Sequence, residues 1–178
     1  LFSGAHGHTY GTHPIWQMYA PPRTPLWDVR TAWYDAMDLP GARQLAHVKA
    51  LLFSRPFLTR IPDQLAIYSG LRGGLEYVSV TRDGTPDRND ASYLMAYFPQ
   101  AGTITFMTER LTGRSIRGWW FNPRDGSARS LGEFPKQNRM EFSAPTSSAT
   151  EDWILVLDDA ARNYPAPGIT IEQKRDRK

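Results

Sequence analysis

Leu75-Glu76-Tyr77-Val78-Ser79-Val80-Thr81-Arg82 is the stretch on which the reading of this chain turns. Tyr77 and Ser79 fall on one face and Val78 and Val80 on the other, the two-residue period of a strand with one side against a core. Arg82-Asp83-Gly84 then supplies turn chemistry. Six further stretches rich in β-branched and aromatic residues follow: Ser92–Phe98, Thr103–Met107, Ser115–Phe121, Ser127–Leu131, Arg139–Ser143 and Trp153–Leu157. Between them lie Pro99-Gln100-Ala101-Gly102, Asn122-Pro123-Arg124-Asp125-Gly126 and Ala144-Pro145. About seven short strands, with turns roughly 8–12 residues apart, predict an antiparallel all-β sandwich.

Upstream of Ile61-Pro62 the pattern is different. Leu1–Tyr10 reads as a buried strand and its exit, and Pro21, Pro22 and Pro25 hold the next loop extended. Trp27–Met37 reads as a short helix stopped by Leu39-Pro40-Gly41. Gly41–Ser54 carries the strongest helical pattern, with Leu45, Val48, Leu51 and Leu52 on one side and Pro56 ending it. One strand and two helices cannot close a core. The chain also opens on Leu1 rather than Met, so it is expected to begin within a larger domain. A linker is expected near Ile61-Pro62, with Asp63 in its turn. Beyond Pro165-Ala166-Pro167-Gly168 a charged tail, residues 169–178, is expected to be flexible.

Composition narrows the function. The 178 residues are 40% hydrophobic and 12% aromatic, enough for a packed core. Of the formal charge of +3, the segment from Glu172 onward holds four cations and two anions, a net +2. The remaining +1 provides no phosphate-binding field, so a nucleic-acid partner is not expected. With no cysteine, thiolate metal sites and Cys nucleophiles are excluded. No apolar run approaches the roughly 20 residues of a membrane span.

Gly7-His8-Thr9-Tyr10-Gly11, Ile15-Trp16-Gln17, Leu39-Pro40-Gly41-Ala42 and Ser54-Arg55-Pro56-Phe57 together resemble the end of the barrel in apiosidase-like glycoside hydrolases. Ser92–Pro99, Trp119–Arg124, Gly132-Glu133-Phe134 and Asp152–Asp159 resemble the C-terminal β-domain of the same proteins. That domain carries a collagen-binding label, although nothing in these residues shows collagen affinity. The resemblance implies an α/β remnant over residues 1–61, namely the last strand and helices of a TIM barrel. A β-sandwich would follow over 62–168. It also implies action on plant or bacterial glycans, a periplasmic or secreted full-length protein, and a catalytic carboxylate pair upstream of Leu1. No catalytic residue, metal or cofactor is then expected in this chain.

A barrel strand over Phe2–Tyr10 would aim its C-terminal end at the active site. His8 and Tyr10, two apart, would share a face and hydrogen-bond sugar hydroxyls, and Trp16 would offer a ring to a sugar's apolar face. The alternative is structural, with Tyr10 and Trp16 filling the barrel–helix interface and His8 bonded to a backbone carbonyl. His6, His8 and His13 as a metal triad would make a small metallo-hydrolase, but no carboxylate precedes Asp28.

Glycoside hydrolysis needs two carboxyls across the scissile bond. Asp28 reads as a helix N-terminal residue. Asp35 and Asp38 read as solvent-facing neighbours, and Asp63 as part of the linker turn. Of Trp119 and Trp120, one is expected in the sandwich core and the other outward against the barrel part. Asp158-Asp159 reads as an acidic pair ending a strand rather than a calcium site. A competing function of another class is a non-catalytic polysaccharide- or protein-binding module. An exposed aromatic strip on the sandwich would favour that module, and burial of those rings against the Gly41–Ser54 helix a structural role.

Overall fold

Alternation along the central strands builds two cores back to back. The computed structural model describes residues 1–9, 11–70 and 73–171. Its elements are the helices α1 (His13–Trp16), α2 (Trp33–Ala36) and α3 (Pro40–Phe53), followed by nine strands: β1 (Ile61–Pro62), β2 (Ile67–Ser69), β3 (Ser79–Arg82), β4 (Tyr93–Phe98), β5 (Thr103–Phe106), β6 (Ser115–Phe121), β7 (Ala128–Pro135), β8 (Met140–Ser143) and β9 (Trp153–Asp159). A six-stranded sheet runs β1-β3-β4-β9-β6-β7 and a three-stranded sheet runs β2-β5-β8. All the ladders between strands are antiparallel.

On β4, Leu94, Ala96 and Phe98 point toward the smaller sheet. There they join Val78, Val80, Ile104, Phe106, Trp120, Leu155 and Leu157 in the larger core. Tyr93, Met95 and Tyr97 point the other way and meet Leu51 of α3 together with Phe121, Ile154 and Val156. The result is three layers: helix, large sheet, small sheet. The expected sandwich is present, and its two additional strands, β1 and β2, are only two and three residues long. Strands that short leave no alternation to detect. The two faces of the Tyr77–Val80 stretch are as expected, with Val78 and Val80 buried and Tyr77 exposed. Trp120 fills the larger core, while Trp119 packs on the α3 side.

The helix expected over Gly41–Ser54 spans Pro40–Phe53, with Pro40 at its first position, where no amide hydrogen is needed. Three expectations are corrected. Residues 1–9 form turns and irregular backbone, not a strand, because among the described residues no strand lies alongside them to complete a ladder. Their backbone is held by Arg60 instead, whose Nη1 donates to Leu1 O at 2.7 Å and Nη2 to Ala5 O at 2.9 Å. The expected Trp27–Met37 helix is confined to Trp33–Ala36. Asp28 therefore caps nothing; it forms an exposed ion pair with Arg30 at 3.0 Å. Ile61-Pro62 is not a free linker but the sheet's edge strand, pairing with Thr81 and Arg82. Asp63 beside it accepts from the buried Arg82 Nε. The tail from Glu172 lies outside the described residues.

The helical part is joined to the sheet by a buried ion pair. Arg55, at 0% exposure, donates from Nε and Nη2 to the two carboxylate oxygens of Asp158, at 1%, each at 2.7 Å. Nη1 is bonded to Ser54 O at 2.6 Å, and the guanidinium lies 5.0 Å from the Tyr164 ring centroid. Burial pushes the Asp158 carboxyl up, and the bidentate guanidinium pulls it back down. Nearby, Tyr93 OH donates to Pro56 O at 3.0 Å. Asp159 ends the strand as expected, accepting from Thr112 Oγ1 at 2.8 Å and Ala161 N at 3.0 Å.

Removing one member of such a pair strands the other charge in the interior. Asp158→Ala is expected to lower unfolding stability by about 3–5 kcal/mol. Replacing both partners with apolar residues, Arg55→Met with Asp158→Leu, should recover most of that loss. Urea denaturation of the three chains checks both outcomes.

Candidate functional site

The N-terminal segment gathers aromatic rings at the surface. α1 ends at Trp16, and the next side chain, Gln17, binds the backbone of Leu26 twice. Its Oε1 accepts from Leu26 N at 2.8 Å, and its Nε2 donates to Leu26 O at 3.2 Å. This clamp brings Trp27, whose φ is +57°, beside α1. The Trp16 and Trp27 rings stack with centroids 6.0 Å apart and planes 11° from parallel. The His13 ring meets both edge-on, at 5.8 and 4.9 Å. Trp16 is 73% exposed and Trp27 66%. Such pairs contribute about 0.5–1.5 kcal/mol beyond the area they bury, so the cluster can hold its shape while its outer surfaces stay free.

A second concave feature lies between α3, the first residues of the chain and the α3-facing side of the large sheet. This cleft has a volume of ≈ 470 Å³. Leu45, Val48 and Ile154 give it aliphatic walls, and Gln44 and His8 also line it. At one end stands Asp152, whose Oδ1 accepts from Arg124 Nη1 at 2.8 Å and whose Oδ2 accepts from Tyr97 OH at 3.1 Å. Arg124 Nη1 also donates to the Asp152 carbonyl, and its guanidinium lies 5.2 Å from the Trp153 ring centroid. Arg124 is placed by the Asn122–Gly126 turn. There Asn122 Oδ1 accepts from Arg124 N at 3.1 Å, and Gly126 adopts a φ of +76°. Burial, then the Asp152 charge, pushes the Tyr97 phenol up to about 12.

The two expected site residues that are described do not share one feature. Trp16 belongs to the surface aromatic cluster, His8 lines the cleft, and Tyr10 lies outside the described residues. Among the described residues, no three or more His, Cys, Asp or Glu side chains are grouped so as to hold a metal. His13 is engaged with the two indoles, while His6 and His8 line a separate hollow beside α3. Three of the four acidic candidates are paired with cations: Asp28 with Arg30, Asp38 with Arg43 and Asp63 with Arg82. Asp35 is exposed on α2. Sequence reasoning missed Trp27 and His13 as partners of Trp16, because Trp27 was assigned to a helix. It also missed Asp152 and Arg124, because a charged residue beside a turn normally faces water.

Comparison with known proteins matches this geometry to two families. Residues 61–158 match the family described as "Putative collagen-binding domain of a collagenase", and residues 1–59 match "Apiosidase-like, catalytic domain". The first match covers more than half of the chain, and the chain belongs to that family. Among solved structures it is similar to a glycoside hydrolase at 28% identity and a TM-score of 0.82, covering 90% of this chain and 34% of the other. It is also similar to a glycoside hydrolase family 5 protein from Bacteroides vulgatus ATCC 8482 at 26% identity and a TM-score of 0.83, covering 98% and 36% respectively. The chain thus spans about a third of the length of either structure. No curated protein matches it. These matches agree with the resemblance to the C-terminal part of an apiosidase-like glycoside hydrolase.

The Tyr97–Asp152 contact has a titration signature. Burial, and after it the neighbouring carboxylate, make this phenol resist ionisation, so Tyr97 should keep its proton until about pH 12. Asp152→Asn removes the charge but leaves the burial, so Tyr97 should titrate lower than in the parent chain yet stay above the ordinary tyrosine value of about 10. ¹³Cζ-tyrosine NMR through an alkaline titration of both chains reads the difference.

Proposed function

We propose that this chain is the C-terminal portion of a glycoside hydrolase acting on plant or bacterial glycans. Residues 1–61 would form the closing part of a (β/α)₈ barrel, residues 62–168 an accessory sandwich, and residues 169–178 a charged tail. Its task in that protein is to hold glycan through Trp16, with His8 and Tyr10 as further contacts, while carboxylates elsewhere in the protein perform the cleavage. The full-length protein would be periplasmic or secreted.

The observation that carries this reading is the exposed Trp16–Trp27 stack, placed in the segment that matches an apiosidase-like catalytic domain. A pyranose ring has one face of C–H bonds and a rim of hydroxyls. An indole face satisfies the first without competing for the second, and at its edge the indole and imidazole N–H groups offer donors. The acidic residues of residues 1–63 support the division of labour. Three are neutralised by arginine and the fourth lies on an outer helix, so no acid/base pair faces a common space.

The other class of function, a non-catalytic polysaccharide- or protein-binding module, has less support. The outward-facing Trp119 of the sandwich packs into the cluster around Leu51 of α3 rather than standing free as a platform.

Affinity electrophoresis in gels containing hemicellulose or pectin tests the proposal. The chain should be retarded, and Trp16→Ala with Trp27→Ala should weaken apparent binding about tenfold or more, the equivalent of 1.4 kcal/mol. Equal mobility of the two proteins in every polysaccharide would overturn the assignment of these rings.

A further inference from the structure

We infer that the cleft between α3 and the large sheet is a second binding site, built for one neutral sugar ring and separate from the Trp16–Trp27 stack. The first observation is an apolar surface without a partner. Helix α3 aims Leu45, Val48, Leu51 and Leu52 along one side, yet only Leu51 is fully buried. Val48 and Leu45 face Ile154 across open space of ≈ 470 Å³. That volume lies within the roughly 300–1,000 Å³ of small-molecule sites, which favour junctions between structural units.

The second observation is how the polar groups are arranged at the end of this aliphatic slot. Asp152 accepts one bond from Arg124 and one from Tyr97, leaving lone pairs on a carboxylate that can take about four. Arg124 uses only Nη1, so Nε and Nη2 remain able to donate. Gln44 adds an amide that makes no hydrogen bond among the described residues. Donors and acceptors thus lie side by side, which suits hydroxyl groups because each hydroxyl both gives and receives. The aliphatic walls suit the C–H faces of the same ring.

Charge decides which sugar. Arg124 and Asp152 neutralise each other at 2.8 Å, so the polar end of the slot carries no net charge. A uronate would meet the Asp152 carboxylate, and an amino sugar would compete for it against Arg124. Both would lose to a neutral ring. The choice of a sugar rests on the glycoside-hydrolase reading. The neutrality and amphipathic shape of the cleft do not.

Saturation-transfer NMR on the 178-residue chain tests this, using Trp16→Ala/Trp27→Ala as the background so that the surface stack contributes nothing. Xylose and methyl glucoside are the neutral probes, galacturonate the charged probe and cyclohexanol the purely apolar one. The background chain should transfer saturation to the neutral sugars, with galacturonate weaker by about fivefold or more, about 1 kcal/mol. Adding Gln44→Trp, whose indole fills the cleft, should abolish the signal. Adding Gln44→Ala, which leaves the cleft open, should weaken it about threefold or more, within the range of one lost hydrogen bond. Thermal melts establish that both variants fold.

Absence of transfer in the background chain overturns the site. So does transfer that survives both Gln44 substitutions, or preference for galacturonate or cyclohexanol. A second copy of the chain filling the cleft would appear as a dimer in sedimentation and would likewise overturn it. Failure of the glycan-platform reading is distinguishable, because it shows in electrophoretic mobility when Trp16 and Trp27 are removed, before any substitution at Gln44.

Discussion

The seating of α3 on the sheet depends on one guanidinium leaving water. Arg55 stands two residues beyond α3, and its charge meets the carboxylate of Asp158 near the end of β9, one of the sheet's two central strands. Burying two such ions is costly before they meet, by several kcal/mol each. Only a bidentate geometry with further donors satisfied makes the arrangement tolerable, and Ser54 O takes one of them. The orientation of α3 is therefore tightly constrained, since sliding the helix would break two 2.7 Å bonds together. Tyr93 OH on Pro56 O and Arg60 on Thr81 Oγ1 reinforce the same seam.

That seam explains why the functional features lie where they do. α3 is pinned at its C-terminal end, with Leu51 sunk into the sheet, while Leu45 and Val48 earlier in the helix stand clear of it and form a wall of the cleft. The aromatic cluster lies further upstream in sequence. It does not depend on the sheet, because its geometry is set by the Gln17 clamp on Leu26 and by stacking. Rigid attachment at one end and local bracing at the other suit a part whose task is to present rings and hydroxyl-binding groups at fixed positions.

How much of this was legible in the sequence follows from the range of each interaction. The sandwich was, because period-two alternation and turn residues are local signals; Val78 and Val80 point inward as their spacing demands. Helix α3 was, because its apolar stripe marks its face and Pro56 its end. The irregular backbone of residues 1–9 was not, since a strand is a statement about a neighbour, and what reaches these residues from Arg60 and Ser79 is side-chain hydrogen bonding rather than a ladder. Asp63 resembled a turn residue because its partner, Arg82, stands 19 positions away. The Arg55–Asp158 pair spans 103 positions and carries no spacing rule, so neither residue could be assigned to the other. Trp16, expected to offer a ring, is exposed. Its partner Trp27 was hidden by a left-handed backbone that no side-chain pattern announces.

The two-sided sheet also affects how the sequence can vary. Along β4, residues 94, 96 and 98 answer to the small sheet, while 93, 95 and 97 answer to α3 and the cleft. Substitutions in one set meet different neighbours from substitutions in the other, so their energetic effects should be close to additive. Lineages carrying this fold can thus reshape the helix-facing set, and with it whatever the cleft admits, while the opposite set keeps the sandwich folded. A single strand serves as two nearly independent evolutionary registers.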